Sequence, residues 1–284
     1  MSNTSLLICA SQCWPGAAAN SLSQQLAKQV LQRSGWRGRV LLALLGWRSG
    51  RVLLTGLLQF SLPGIMAHYR WRKQHIASWI EQQIEQQNIL QLVIAGAGFD
   101  GLGAMLSAKY PQLQVVEFDR VATINIKQDV LLRLNSLQPN LCLRAADLGH
   151  CSLAQLLADT AEFSAERPTL MLAEGLLMYL PESAINNLLQ QMRQCVNAPL
   201  QLVASQMQLD PLGKPRFSQQ GRLADMALAM SGERFVSGIT PQVLPGWLVN
   251  LGFNLQQLVP AEQPENNDPC PGEILFYATA KSVP

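Results

Sequence analysis

The chain has 284 residues, of which 48% are hydrophobic and 14% are charged, a composition that indicates a folded globular protein and excludes an intrinsically disordered one. The six cysteines are scattered and the three histidines form no ligand-spaced cluster with them, so the sequence predicts neither a disulfide scaffold nor a metal site. The net charge of +2 conceals an asymmetry, because residues 1–80 contain nine Lys or Arg and no Asp or Glu, whereas the remainder contains 12 basic and 19 acidic residues.

The N-terminal segment carries no targeting pattern. Residues 1–10 lack a basic region, and their apolar run is shorter than a secretory signal requires. The apolar stretch over residues 40–66 is interrupted by two arginines, a glutamine and a proline, whereas a membrane-spanning helix needs about 20 mostly apolar residues. We therefore expect a cytoplasmic location and no transmembrane helix.

Helical patterns come first along the chain. Apolar residues recur at helical spacing over residues 20–33, with Asn20 or Ser21 as the N-cap. Trp-Arg followed by Arg-Val-Leu-Leu then occurs twice, over residues 36–46 and 47–56, which predicts two short helices. Basic, aromatic helices of this kind can cover an active site, rest on a membrane surface or pack on the core, and all three interpretations stay open.

A longer helix is predicted over residues 65–87, with the basic cluster Arg70-Trp71-Arg72-Lys73 near its start. This helix would place a basic patch at the edge of the domain that follows it. We therefore divide the chain into an N-terminal helical cap, residues 1–85, and an α/β core, residues 86–284.

An apolar strand that breaks into closely spaced glycines follows. Residues 92–95 are Leu-Val-Ile-Ala, and Gly96 and Gly98 come directly after them. Glycine adopts positive φ easily and lets a ligand approach bare backbone, and the next helix presents unpaired N–H groups at the same turn. The segment therefore predicts a nucleotide-cofactor loop, and with it an enzyme.

The loop alone does not identify the cofactor. Together with Gly101 it matches the G-x-G-x-x-G pattern of NAD-binding domains, and a second strand over residues 113–119 ends in acids where such folds hold ribose hydroxyls. The same arrangement suits S-adenosylmethionine, so an NAD-dependent oxidoreductase stays an alternative at this point.

Strands and helices alternate through the rest of the chain. Strands are predicted over 90–95, 114–118, 141–145, 168–173, 200–205, 254–259 and 273–280, and helices over 101–109, 122–134, 152–159, 182–195, 218–230 and 241–251. Strict alternation predicts an α/β fold whose parallel sheet carries helices on both faces. The last two strands have no helix between them and can pair antiparallel, an ending typical of methyltransferase sheets and unusual for nicotinamide domains.

Four sequence blocks, in this order and spacing, resemble the bacterial branch of the leucine carboxyl methyltransferase family of S-adenosylmethionine-dependent O-methyltransferases. They are residues 68–73 (HYRWRK), 93–100 (VIAGAGFD), 116–119 (VEFD) with Ala122, Thr123 and Lys127, and 173–181 (AEGLLMYLP). The resemblance implies a class I methyltransferase fold, a Rossmann-like seven-stranded, mostly parallel sheet with a C-terminal antiparallel strand and a helical cap before it. It also implies S-adenosyl-L-methionine as the cofactor.

The resemblance assigns the methionine half of that cofactor to the first two blocks. Arg72 matches the family arginine and would pair with the methionine carboxylate, a geometry that favours Arg over Lys. The backbone at Gly96, Ala97 and Gly98 would lie along the methionine and ribose, and Asp100 would accept a hydrogen bond from the amino group or a bridging water.

The nucleoside half falls to acids that follow the next two strands. Glu117 would accept both ribose hydroxyls, with Asp119 as the second candidate on the same strand face. Asp147 would contact the adenine amino group beside the apolar Leu148. Asp147 sits too early to cap the helix over residues 152–159.

Glu174 and Tyr179 are the candidate catalytic residues. Glu174 follows the fourth strand at the ligand-binding edge of the sheet, near the transferred methyl group in the family, and Tyr179 would line the substrate entrance. The chain departs from the family pattern at Gly101, where a Thr is usual, and at residues 120–121, where a His-Pro pair is usual.

The predicted reaction is methylation of a carboxylate or hydroxyl oxygen of a small molecule. Methyl transfer from a sulfonium is an in-line displacement, so positioning is the main requirement, and an ionised carboxylate acceptor needs no general base. Basic residues of the cap would guide such an acceptor, and the candidates are Arg37, Arg39, Arg48, Arg51 and Arg70. The alternatives are an NAD-dependent oxidoreductase and a membrane-surface methyltransferase acting on an apolar acceptor through the basic helices. Nucleic acid is not an expected partner, because the rest of the chain is acidic.

Overall fold

The computed structural model describes residues 3–14, 21–61, 63–217, 220–221, 234–260 and 272–281. The helices are α1 (Asn3–Gln12), α2 (Leu22–Arg33), α3 (Gly35–Gly46), α4 (Arg48–Ser61), α5 (Ile65–Gln87), α6 (Leu102–Lys109), α7 (Val121–Arg133), α8 (Leu153–Ala158), α9 (Glu182–Gln194) and α10 (Leu244–Asn250), with a 3₁₀ turn at Leu177–Tyr179. The strands are β1 (Gln91–Ala95), β2 (Gln114–Asp119), β3 (Leu141–Ala145), β4 (Thr169–Ala173), β5 (Leu200–Met207), β6 (Phe253–Pro260) and β7 (Glu273–Ala280).

All seven strands belong to one sheet, in the order β3-β2-β1-β4-β5-β7-β6. Neighbouring strands among β1 to β5 pair in parallel, and β7 pairs antiparallel with both β5 and β6. The predicted class I methyltransferase fold is therefore confirmed, including its closing antiparallel pair.

Helices cover both faces of the sheet because successive strand residues point to opposite sides. Leu92 and Ile94 of β1 belong to one buried apolar cluster, which also contains residues of α1, α2, α5, α6 and α7. Val93 and Ala95 belong to a second cluster with residues of α8, α9 and α10. The first cluster crosses the expected boundary near residue 85 without interruption, and the division into cap and core stays a prediction.

The helix bounds agree with local chemistry. Ser21, one of the two expected caps, accepts a hydrogen bond from the Gln24 N–H at 3.2 Å, so α2 begins where the sequence indicates. Helix α5 occupies the whole predicted range, between Gly64 at φ 76° and Asn88 at φ 51°. The helix predicted over 218–230 falls almost entirely outside the described residues.

Helix α1 was not predicted. Its buried side chains are Leu6, Cys9 and Ala10, followed by Cys13 just after the helix, which is the spacing i, i+3, i+4, i+7 of one helix face. That pattern was present in the sequence and would have identified the helix.

Helices α3 and α4 correspond to the two Trp-Arg repeats. Within the described residues, no single helix has the length and apolarity to cross a membrane. Helix α3 and residues 48–57 of α4 reach that length only together, and their axes are bent by 111°.

Candidate active site

A cavity of about 640 Å³ opens at the carboxyl ends of β1, β2 and β4. Ligands bind at this edge in open α/β sheets, because the loops that leave the strands diverge there. Every predicted site residue lines the cavity: Arg72, Gly96, Ala97, Gly98, Asp100, Glu117, Asp119, Asp147, Leu148, Glu174 and Tyr179. Helix α1, which the sequence did not predict, adds Ile8 and Gln12 to the lining.

The glycine loop is fixed to the neighbouring strand. Gly96 and Gly98 both have positive φ, 73° and 53°, as the sequence indicates. The Gly98 N–H donates to Asp119 Oδ2 at 2.8 Å, and the other Asp119 oxygen accepts from the Arg120 N–H at 2.7 Å. Both Asp119 oxygens therefore already accept backbone hydrogen bonds, one of them from the glycine loop, which leaves Glu117 as the better candidate for a ribose.

The structure explains the glycine at position 101 by its packing against α2, not by contact with a phosphate. Its φ is −87°, which any residue adopts, but a Cβ there would lie 2.6 Å from Ser23 Oγ and about 3.0 Å from the Ser23 backbone. The third glycine of the G-x-G-x-x-G pattern thus makes room for α2. Gly101 therefore no longer supports the NAD interpretation, which depended on it as the third glycine of the pattern.

Arg72 is the centre of a buried ion-pair network. Its Nη1 donates to both Glu273 oxygens, at 3.0 and 2.9 Å, and its Nε lies 2.9 Å from Glu174 Oε1 without the alignment of a hydrogen bond. His68 Nε2 lies 2.6 Å from Glu273 Oε2 and donates to it when that carboxylate is ionised. Burial would raise the pKa of Glu273, but Arg72 and His68 outweigh it and bring that pKa to about 2.

Glu273 has no counterpart among the predicted site residues. It opens β7, about 200 residues after Arg72, and a single acid at the start of a strand carries no pattern that sequence analysis can use. Its place under Arg72 follows from the antiparallel return of β7 beside β5. Arg72 therefore meets two carboxylates, and its expected pairing with a methionine carboxylate stays a prediction.

Lys73 belongs to the first sequence block, residues 68–73, but the sequence assigns it no role. Its Nζ contacts Asp100 Oδ2 and lies 2.7 Å from Glu174 Oε1, so one ammonium links two predicted site acids. Burial would lower the pKa of Lys73, but the two carboxylates raise it above its usual value. Burial would likewise raise the pKa of Asp100, and the Lys73 charge brings it below its usual value. Asp100 also accepts from the Leu102 N–H at 3.1 Å, at the start of α6.

Glu117 and Lys127 form a second buried ion pair. Lys127 Nζ lies 2.5 Å from Glu117 Oε2, and both side chains are essentially fully buried. Burial raises the pKa of Glu117, and Lys127 opposes this shift without cancelling it. The tip of β2 is therefore more enclosed than the sequence suggests, although Glu117 still lines the cavity.

The opposite end of the cavity is more open. Asp147 is exposed, and its Oδ1 accepts from the Gly149 N–H at 3.1 Å, while Leu148 packs against the second apolar cluster. Ser152, not Asp147, caps α8 by accepting from the Gln155 N–H. The expected apolar and acidic neighbours of an adenine therefore lie side by side.

An aromatic wall lies on the side of the cavity formed by Tyr179 and residues 217 and 235. The Phe235 ring contacts Tyr179 at a tilt, with 5.6 Å between ring centroids, and meets Phe217 edge-on, with 5.9 Å between ring centroids. Tyr69 covers the Arg72 guanidinium at 5.1 Å, and Arg234 also lines this side. The cavity therefore has an apolar, aromatic side as well as a charged one.

The predicted arginine guides are not in the cavity. Its basic lining residues, among those the structure describes, are Arg72, Lys73, Arg120 and Arg234. None of the five arginines proposed from the sequence as guides is among these lining residues; four of the five lie on α3 and α4 and one lies on α5. They are Arg37, Arg39, Arg48, Arg51 and Arg70.

The charges and free hydrogen-bonding capacity of the cavity fit the expected cofactor. Six acidic residues and four basic ones line it, and S-adenosylmethionine carries a sulfonium and an ammonium against one carboxylate. Arg72 Nε, Glu174 Oε1 and both Glu117 oxygens are buried with ion-pair partners but no aligned hydrogen bond within the described structure. No group of three or more His, Cys, Asp or Glu side chains in that part of the chain is arranged to hold a metal ion.

Comparisons with known proteins agree with this geometry. The family model of leucine carboxyl methyltransferase matches residues 20–193, and no curated protein matches the chain. A candidate methyltransferase of Thermobifida fusca YX is 14% identical, with a TM-score of 0.60 over 92% of this chain and 95% of the other. A DUF574 family protein of Streptomyces avermitilis MA-4680 is 15% identical, with a TM-score of 0.59 over 83% and 91%. Magnesium protoporphyrin IX methyltransferase of Synechocystis PCC 6803, solved with bound SAH, is 12% identical, with a TM-score of 0.51 over 76% and 85%. At these identities the structures show a shared fold.

Proposed function

The chain belongs to the leucine carboxyl methyltransferase family and uses S-adenosylmethionine as its methyl donor, and from this premise we propose that it methylates a carboxylate or hydroxyl oxygen of a small molecule. The observation that carries the proposal is that an aromatic wall and Arg234 line the same cavity as Glu174. A cavity of about 640 Å³ suits a small molecule and not a folded partner.

The protein's own residues supply binding and orientation. The cofactor, when bound, provides a methyl group on a positively charged sulfur. Gly96 and Gly98 leave the backbone open to it, Glu117 offers two acceptor oxygens for ribose hydroxyls, and Asp147 offers one to an adenine amino group. Glu174, held between Arg72 and Lys73, presents a fixed carboxylate toward the reacting centre.

An acceptor carboxylate has a reference pKa of about 4 and is ionised at neutral pH, so its oxygen attacks without a general base. The main catalytic task is then alignment at near-attack distance, which the rigid aromatic wall and the ion-paired Glu174 favour. For a hydroxyl acceptor, Glu174 and the Tyr179 phenol are the polar groups placed to orient the O–H group. The cytoplasmic location expected from the N-terminal sequence stays part of this proposal.

The test is incubation with methyl-labelled S-adenosylmethionine and a metabolite extract, followed by treatment of the labelled product with alkali. A methyl ester releases labelled methanol under these conditions, whereas a methyl ether does not, so the two oxygen acceptors are distinguished. Label on nitrogen, carbon or a macromolecule would refute the proposal.

A matched glycine pair controls for cofactor binding. A Cβ on Gly98 meets no atom within 4 Å and extends into the open cavity, so Gly98→Ala should weaken S-adenosylmethionine binding by at least about tenfold in calorimetry. Gly213→Ala, at a positive φ of 73°, outside the cavity and with equally free space around its Cβ, should leave the affinity unchanged. Arg234→Gln should raise the acceptor KM only if the acceptor is anionic.

A further inference from the structure

Exposed apolar side chains are concentrated on α3 and α4. Seven of the fourteen large hydrophobic residues that are exposed in the described structure lie within residues 36–60. Trp36 is 72% exposed, Trp47 is 71% exposed and Phe60 is 75% exposed. Such a concentration on a folded protein indicates an interaction surface, since apolar side chains exposed singly are scattered.

These side chains follow helical spacing. On α4, Val52, Leu53, Leu57 and Phe60 fall on one face, and on α3, Trp36 and Val40 are one turn apart. The opposite sides of the two helices already pack inward, through Leu41, Leu42, Leu45 and Leu54. The outward stripes, which we call the outer faces of α3 and α4, are therefore the exposed apolar sides of helices that are already anchored to the core.

Positive charge borders the outer faces. Residues 1–80 contain no acidic residue, and Arg37, Arg39 and Arg48 are exposed. Arg39 Nε donates to the Gln32 carbonyl, and neither Arg39 nor Arg48 pairs with an acidic side chain in the part of the chain that the structure describes. The charge is therefore not neutralised locally.

We infer that the outer faces of α3 and α4 dock on the surface of an anionic lipid bilayer. Helices with apolar and aromatic residues on one side and arginines at the border lie in the plane of the membrane interface, with tryptophans at headgroup depth. The arginines supply attraction to anionic headgroups. The 111° bend between the helices is compatible with lying on a bilayer, and neither helix is long enough to cross one.

Charge favours a lipid surface over a symmetric contact with a second copy of the chain. A symmetric contact would bring the arginines of one copy against those of the other with no acid to separate them, which is repulsive. A lipid surface offers a continuous layer of negative charge and apolar depth at the same place.

The test is co-sedimentation of the full chain with vesicles of phosphatidylcholine, with or without phosphatidylglycerol. We expect binding only to the anionic vesicles and weaker binding when salt rises from about 0.1 M to about 1 M, because the screening length falls from about 10 to about 3 Å. Binding independent of lipid charge and salt, or no binding to anionic vesicles at low salt, would overturn the inference.

Two variants separate the apolar and the charged contributions. Leu53→Gln with Leu57→Gln should reduce binding about tenfold or more. Arg39→Gln with Arg48→Gln should reduce it about fivefold for each arginine. The matched controls are Val121→Gln with Leu132→Gln, equally exposed on α7, and Arg133→Gln with Arg167→Gln, and these should bind as the unmodified protein does.

Calorimetry with S-adenosylmethionine shows that each variant is folded, and it does not depend on the acceptor. Equal loss of vesicle binding in the test variants and the controls would contradict a specific surface. Self-association of the lipid-free chain that the Leu53→Gln, Leu57→Gln variant abolishes would show a second copy as the occupant and would also overturn the inference.

Discussion

Two groups of buried charges flank the glycine loop, and they are built differently. In the first, Glu273 accepts hydrogen bonds from Arg72 at 2.9 and 3.0 Å and lies 2.6 Å from His68. In the second, the one ion-pair partner of Glu117 among the described residues is the Lys127 ammonium, at 2.5 Å and without hydrogen-bond alignment.

Their pKa values consequently move in opposite directions. Burial penalises both carboxylates, but aligned bonds from Arg72 and His68 bring the pKa of Glu273 to about 2, whereas the pKa of Glu117 is raised. Burial alone therefore does not determine how a charge behaves, because the number and alignment of its partners decide the outcome. The Glu273 carboxylate receives its hydrogen bonds from the protein itself, while Glu117 has acceptor capacity left for a ligand.

Removing the Glu273 charge should break the comparison most strongly. Glu273→Gln leaves the buried Arg72 without its main counter-ion, so we expect the free energy of unfolding to fall by about 3–5 kcal/mol in urea titrations. Glu162→Gln is the control, since Glu162 forms an exposed 3.5 Å pair with Arg144 and should contribute less than about 1 kcal/mol. Equal effects of the two substitutions would show that the buried network is no stronger than a surface pair.

Acid should reveal the opposite shifts. The pKa of Glu273 lies at about 2 in the folded protein against 4.5 ordinarily, so the unfolded chain takes up this proton first as the pH falls. The stabilisation from Glu273, about 3 kcal/mol, is complete above pH 4.5 and is lost as the pH falls toward 2. Glu117, whose pKa is raised, contributes stability at low pH that is lost as the pH rises through its folded pKa.

Urea titrations at several pH values measure both contributions. The stability difference between the unmodified protein and Glu273→Gln should narrow below pH 4.5. The range from pH 6 to pH 3 includes the upper part of the interval between the ordinary pKa of 4.5 and the folded pKa of about 2. A stability difference that stayed constant over this range would contradict the assignment.

Neutralising the second pair should have the smallest effect on stability and a clear effect on binding. Replacing a buried ion pair by uncharged side chains of similar size is often neutral or stabilising by about 1–4 kcal/mol, so Glu117→Gln with Lys127→Met should not destabilise the fold. The same variant should lose S-adenosylmethionine affinity, measured by calorimetry, because an amide has no negative charge and offers one acceptor oxygen to the ribose hydroxyls in place of two. Unchanged affinity would remove Glu117 from the cofactor site.

The fold could be predicted from the sequence, and so could those candidate site residues that belong to local sequence patterns. Glycine spacing, strand alternation and acids at strand ends are local, and they located Gly98, Glu117 and Glu174 correctly at one edge of the sheet. The partners of these residues are not local. Glu273 reaches Arg72 only through the antiparallel return of the last strand, and nothing near Glu273 in the sequence indicates it.

The arginines of α3 and α4 show the opposite kind of error. Their charge is evident in the sequence, but where a helix places its side chains depends on tertiary packing, and in the structure none of these arginines lines the cavity. Composition identifies a charged segment, and only the fold identifies the surface that the segment forms.

The contact between Gly101 and Ser23 makes two positions that are distant in the sequence depend on each other. A side chain can replace the glycine only after α2 withdraws, because two of the three close atoms belong to the Ser23 backbone. Substitutions at position 101 therefore depend on where α2 lies. A glycine that completes a pattern usually taken to identify a cofactor class can therefore be required by the packing of a neighbouring helix, and the pattern alone does not distinguish the two reasons.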